Sequence, residues 1–181
     1  MTTGKTSDYH YPRQRINGVW LIIVGIAMLT LTMKLINGFP NPDIFGILYS
    51  LGMFWQLNKH TRQKLSVGPG TKAQSHWANG AIIIMMALML LVFLPSWLQG
   101  GVVTYAMMRR IWLEIMIVIG IHFFFFIPVH GKLMGILGGL TIINSLLGLL
   151  LGWPLDLVFV IDGLLKLIFG LIFVKVSPIN F

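Results

Sequence analysis

Six apolar runs, parted by turns rich in glycine, proline and basic residues, divide this chain, and that alternation admits few folds. They cover about 18–36, 44–57, 77–94, 111–128, 133–152 and 155–174, and most approach the ~20 residues that cross a hydrocarbon core. With 56% hydrophobic and only 10% charged residues, and a mean hydropathy of +0.85, the chain carries more apolar surface than a soluble core of 181 residues hides. The expected fold is all-α, a polytopic membrane bundle of six transmembrane helices. A single domain at 18–175 would follow a basic cytoplasmic tail at 1–17. No small-residue cleavage site follows the first run, so that run is expected to remain as a helix.

The punctuation between runs is chemical. The first run ends at Lys34 and the turn Asn37-Gly38-Phe39-Pro40-Asn41-Pro42, whose prolines and glycine oppose helix continuation. The second, Ile44 to Leu57, reaches about 21 Å at ~1.5 Å per residue, so it needs snorkelling by Lys59, local thinning or a re-entrant path. A polar loop is expected from Asn58 to Asn79. Pro95 and Gly100-Gly101 are expected to stop the third run, and Val102 to Arg110 to form an interfacial lead-in to the fourth.

Charge sets the expected orientation. If both termini are cytoplasmic, Lys5, Arg13, Arg15, Lys59, Arg62, Lys64, Lys72, Lys132 and Lys175 lie inside, against Arg109, Arg110 and Lys34 outside. The net charge of +8 then reads as topology and as attraction to anionic lipid headgroups at the cytoplasmic loops. It does not indicate nucleic acid, because the basic residues are scattered over separate loops without a recognition motif.

Asp162 and Lys166 stand four residues apart in VFVIDGLLKLIFG, on one helix face and at lipid depth. Charge there is expensive unless paired, so the pair is either a structural lock or a proton or cation site tuned by the lysine. In the fourth run Arg110 and Glu114 repeat the spacing, and His122 lies two turns deeper among Phe123, Phe124, Phe125 and Phe126. Its imidazole can bond a neighbouring helix or exchange a proton. Thr141, Asn144 and Ser145 place polar groups halfway along the fifth run. Around them Gly131, Gly135, Gly139, Gly148 and Gly152 suggest a close-packing face.

No HExxH zinc motif, Gly-x-Ser-x-Gly elbow or phosphate-cradling loop occurs, and the chain has no cysteine. Enzymatic activity is therefore disfavoured, and neither a metal nor a cofactor is expected. Gly120-Ile121-His122-Phe123, followed by Pro128, and Asp162-Gly163-x-x-Lys166 resemble motifs of uncharacterised small bacterial multi-pass membrane proteins, grouped as domains of unknown function. That resemblance implies a bacterial cytoplasmic membrane and an unassigned activity. Size and span count are also similar to the substrate-binding membrane subunits of vitamin importers, whose Ala-x-x-x-Ala face on the first helix is missing here.

The leading expectation is a small permease-like or ion-coupled carrier. Its ligand- or ion-binding residues would be Asp162, Lys166, Glu114, His122 and Asn144, between the fourth, fifth and sixth helices. The alternatives are a non-catalytic partner or immunity-type subunit, or a vitamin importer's membrane subunit. A homo-oligomer would supply the pathway that so short a chain has little room to enclose.

Overall fold

The structure, a computed structural model, describes residues 10–35, 38–100 and 102–178. Much of the expected tail, residues 1–9, lies outside them, as do Ile36, Asn37 and Gly101 at the expected breaks. The described residues form helices and turns with no strand. The helices are α1 (Gln14–Thr30), α2 (Pro42–Leu57), α3 (Lys59–Leu65), α4 (Lys72–Gln99), α5 (Tyr105–Phe125), α6 (Ile127–His130), α7 (Lys132–Leu151) and α8 (Leu155–Val176).

The all-helical expectation holds, but three of these helices, not six, are long and apolar enough to cross a membrane: α4, α7 and α8. The shortfall has three causes. The first is the length of α1, 17 residues, although turn bonds from the amides of Leu31, Thr32 and Met33 to the carbonyls of Met28, Leu29 and Thr30 prolong it. A second is that α2 has only 16 residues. The third is charge, because every 18-residue stretch of α5 contains Arg109, Arg110 and Glu114.

Caps explain the displaced boundaries. Thr71 and Gln74 form a reciprocal capping box, each bond 3.1 Å, so α4 begins inside the expected polar loop and α3 occupies more of it. Pro95 does not stop α4; a proline removes one helical bond, and the helix ends at Gly100, with φ 57°. Thr104 caps α5 by accepting a bond from the Met107 amide at 3.2 Å, which makes the expected lead-in helical. At the other end Phe126 terminates α5, and Pro128 sits in the separate single turn of α6.

Glycine lets the main chains touch. A methyl on Gly18 would stand 2.8 Å from the Gly170 carbonyl and one on Gly25 would stand 2.7 Å from that of Gly163, and both relations are reciprocal. Thus α1 and α8 run antiparallel with backbones in contact at points two turns apart. Gly120 and Gly138 join α5 to α7 in the same way. The glycine face expected on the fifth run holds in part: a methyl on Gly135 would stand 2.6 Å from Ile127 and one on Gly148 2.8 Å from Leu113, but Gly139 meets only the Phe124 ring at 3.9 Å, while Gly131 (φ 93°) and Gly152 (φ 69°) are helix ends.

These contacts build a core from α1, α5, α7 and α8, filled by Leu21, Leu31, Leu113, Met116, Leu137, Val158, Phe159 and Phe173. By contrast only 6% of the apolar stretch of α4 is buried, against 44% in α7 and in α8.

The two ends of the bundle differ in charge. At one, Arg15 donates to the Val174 and Ser177 carbonyls at the end of α8 (3.0 and 3.3 Å), and Gln14 donates to the His130 carbonyl. Gln74 ties the start of α4 to the carbonyls of His10 and Pro128 (2.8 and 3.3 Å), and the Val67 amide bonds the Pro12 carbonyl. At the other end Lys34 pairs with Asp156 at 2.6 Å, and Arg109 donates to the Gly148 and Trp153 carbonyls, closing the α7–α8 turn.

Candidate functional site

Along α8, Leu155, Phe159, Asp162, Lys166, Phe169 and Phe173 recur every three or four residues and form one buried stripe. Asp162 is 0% and Lys166 1% exposed, and the Lys166 ammonium donates to Asp162 Oδ2 within the helix. Thr141 of α7 donates to the other carboxylate oxygen, Oδ1, at 3.3 Å. Phe123 of α5 presents its ring 5.9 Å from the Lys166 nitrogen, within reach of cation–π attraction. The charge pair is thus closed by α5, α7 and α8 together.

Asn144 extends this polar patch. Its amide donates to the Val158 carbonyl at 2.9 Å, one turn before Asp162, and leaves its own Oδ1 buried without a protein partner. Ser145 returns its hydroxyl to the Thr141 carbonyl at 2.9 Å, a bond internal to α7.

Glu114 and His122 stand apart from the pair. Glu114 bonds Arg110 at 2.6 Å toward the surface, nine residues and so about 13 Å along α5 from Phe123. His122 lies against Phe126, ring centres 4.5 Å apart, and lines a cavity of about 270 Å³ between α1, α2, α4 and α5. Asp162 and Lys166 do not line that cavity, but Phe123 does, so one aromatic ring separates it from the Lys166 ammonium.

The cavity brings together residues that sequence reading treated singly. Trp20, Tyr49, Met53, Ile82 and Met134 give it apolar walls, with the Trp20 and Tyr49 rings edge to face at 4.9 Å. Trp20 is therefore half-buried among α1, α2 and α5. His130 also lines it, 7% exposed and with a partnerless Nδ1, as does His122 with a Nδ1 equally unpartnered. Burial first, then the Arg13 guanidinium, pushes His130 down to about 3, so it is neutral at physiological pH.

Arg13 and Arg62 stand at the cavity's rim, Arg13 half-buried and Arg62 exposed, where a second hollow of about 540 Å³ begins. In sequence both had counted toward orientation and a general attraction to anionic headgroups, not toward a site. Nothing in the spacing of residues 13, 62 and 130 signals their convergence, which follows from the ties at the α1 end. Among the described residues no cluster of three metal-ligating side chains occurs.

The model of a family of unknown function, DUF6609, matches residues 4–180. No curated protein matches the chain, and no solved structure does.

Proposed function

We propose that this chain, which belongs to the DUF6609 family, is a small ion-coupled carrier of the bacterial cytoplasmic membrane. In this reading α1, α2, α4, α5, α7 and α8 all cross, with both termini on the cytoplasmic side. The gathering of Arg13, Arg15, Lys59, Arg62, Lys64, Lys72, Lys132 and Lys175 onto the α1 start, α3, the α4 and α7 starts and the α8 end supports that orientation. The prolonged α1 supports its crossing, and α2 crosses where the bilayer thins.

The observation that carries the reading is the position of Phe123. Its ring bounds the cavity and also lies against Lys166, so a closed ion pair sits one side chain away from a space that opens at the basic end. Rotation of that ring would connect the two, and protonation of Asp162 would then release Lys166 from it.

The test is acidification inside proteoliposomes under an imposed pH gradient. The carrier reading expects protein-dependent proton entry that Asp162→Asn abolishes while the protein keeps its fold. It also expects no recovery in the Asp162→Asn, Lys166→Met double variant. Entry at the wild-type rate in either variant refutes it.

The completeness of the pair's burial favours a second reading, a non-catalytic membrane partner in which Asp162, Lys166 and Thr141 only lock helices. That reading expects no proton entry from any form, and full function in the double variant once its stability returns.

A further inference from the structure

Among the described residues most cations of this basic chain have no carboxylate partner, but Arg13 and Arg62 are two that the fold brings together on one cavity. Asp162 is held by Lys166, Glu114 by Arg110 and Asp156 by Lys34, while Asp43 lies at the start of α2 beside its Asn41 cap. No described carboxylate forms an ion pair with Arg13 or Arg62, although the fold brings these two close enough to repel. That repulsion, added to the larger effect of burial, lowers the Arg13 guanidinium below its usual value. Two cations converged on one rim, with no carboxylate among the described residues to compensate them, favour a bound anion.

The space behind the rim selects the rest of the ligand. Trp20, Met53, Ile82 and Phe123 offer hydrocarbon contact over about 270 Å³, the scale of one hydrocarbon chain of a ligand. His130 supplies a buried, unpartnered nitrogen on the same wall, suited to a hydroxyl or ester oxygen near the head. Arg62 is steadied by its bond to the Gln56 carbonyl at 3.3 Å, and Gln56 also lines the cavity.

We propose that this cavity binds an amphiphilic anion, its phosphate or carboxylate head between Arg13 and Arg62 and one hydrocarbon chain between α1, α2 and α5. The site deepens the carrier reading by naming the class of its ligand, yet binding does not require transport. A membrane lipid and a free acyl anion share this chemistry.

Calorimetric titration of the full chain in an uncharged maltoside detergent tests it. Dodecyl phosphate or laurate should bind saturably, with dodecanol and inorganic phosphate each weaker by about tenfold or more. Phosphatidylglycerol binding at least as tightly as the soluble anions, with phosphatidylcholine failing, identifies a lipid ligand. Preference for the soluble anions identifies a free one. Either result upholds the site.

Arg13→Gln and Arg62→Gln should each weaken binding about tenfold. Ala78→Trp fills the cavity from α4 without removing a charge and should abolish binding while melting stays cooperative. General attraction to a basic surface would survive Ala78→Trp, so unchanged binding in that variant overturns the proposal. So does equal binding of dodecanol, or of phosphatidylcholine and phosphatidylglycerol. Because binding is read without a gradient, the two readings fail separately. Binding with no proton entry defeats only the carrier, and proton entry with no binding defeats only this site.

Discussion

Asp162 with Lys166 and Arg13 with Arg62 are two pairs of charged side chains that the fold treats in opposite ways. The first pair has opposite signs, lies on one helix and is sealed from solvent by α5 and α7. The second has like signs, is assembled from the start of α1 and from α3, and stays partly open. A spacing of four residues neutralises charge within one helix, so that the rest of the fold adds only the Thr141 hydroxyl and the Phe123 ring. Convergence from distant positions leaves an electrostatic demand that no carboxylate among the described residues meets.

The largest expected effect breaks the closed pair. Lys166→Met leaves a carboxylate in the core with only Thr141 to bond it, and should cost about 3–5 kcal/mol of stability in detergent unfolding. Replacing both members, Asp162→Asn with Lys166→Met, should recover most of that loss, because the second charge no longer lacks a partner. Equal losses in the single and double variants would mean that the two groups do not neutralise each other.

A smaller effect tests the wall between the pairs. His130 falls between the fourth and fifth crossings, and its folded value of about 3 lies below the ordinary 6.5. The unfolded chain therefore takes up the proton first. Stability from this residue is complete above pH 6.5 and drains as pH falls toward 3, by about 2 kcal/mol between pH 7 and pH 5. Unfolding of wild type and His130→Gln at the two pH values isolates that share, and equal slopes would show His130 to be solvated. Arg13→Gln should keep most of the slope, since burial outweighs the guanidinium as its cause.

What the sequence disclosed divides along the same line. Helical class and the buried pair were legible, because apolar runs and a spacing of four residues are local patterns. Boundaries at Thr71, Thr104 and Pro95 were less so, since a cap competes with a breaker and the outcome depends on both. Gly18 with Gly170, Gly25 with Gly163 and Gly120 with Gly138 could not be read at all. Each glycine is ordinary alone, and only the antiparallel docking of two helices shows why no side chain fits. The rim followed the same rule: Arg13, Arg62 and His130 carry no common spacing. Glu114, by contrast, was legible as the partner of Arg110 from the same spacing of four, and the structure pairs the two at 2.6 Å, away from Asp162 and Lys166.

The smallest effect bears on the open pair. Arg62 is exposed and donates to the Gln56 carbonyl at 3.3 Å, so Arg62→Gln removes little structure. It also relieves the repulsion of Arg13. Unfolding should shift by no more than about 0.5 kcal/mol, in the stabilising direction if relief outweighs the lost bond. Raising salt should narrow the difference from wild type, because screening does to an exposed like-charge pair what the substitution does. A loss of more than about 2 kcal/mol would show that the fold itself relies on this guanidinium. The contrast between a pair the chain satisfies and a pair it leaves for a ligand would then collapse.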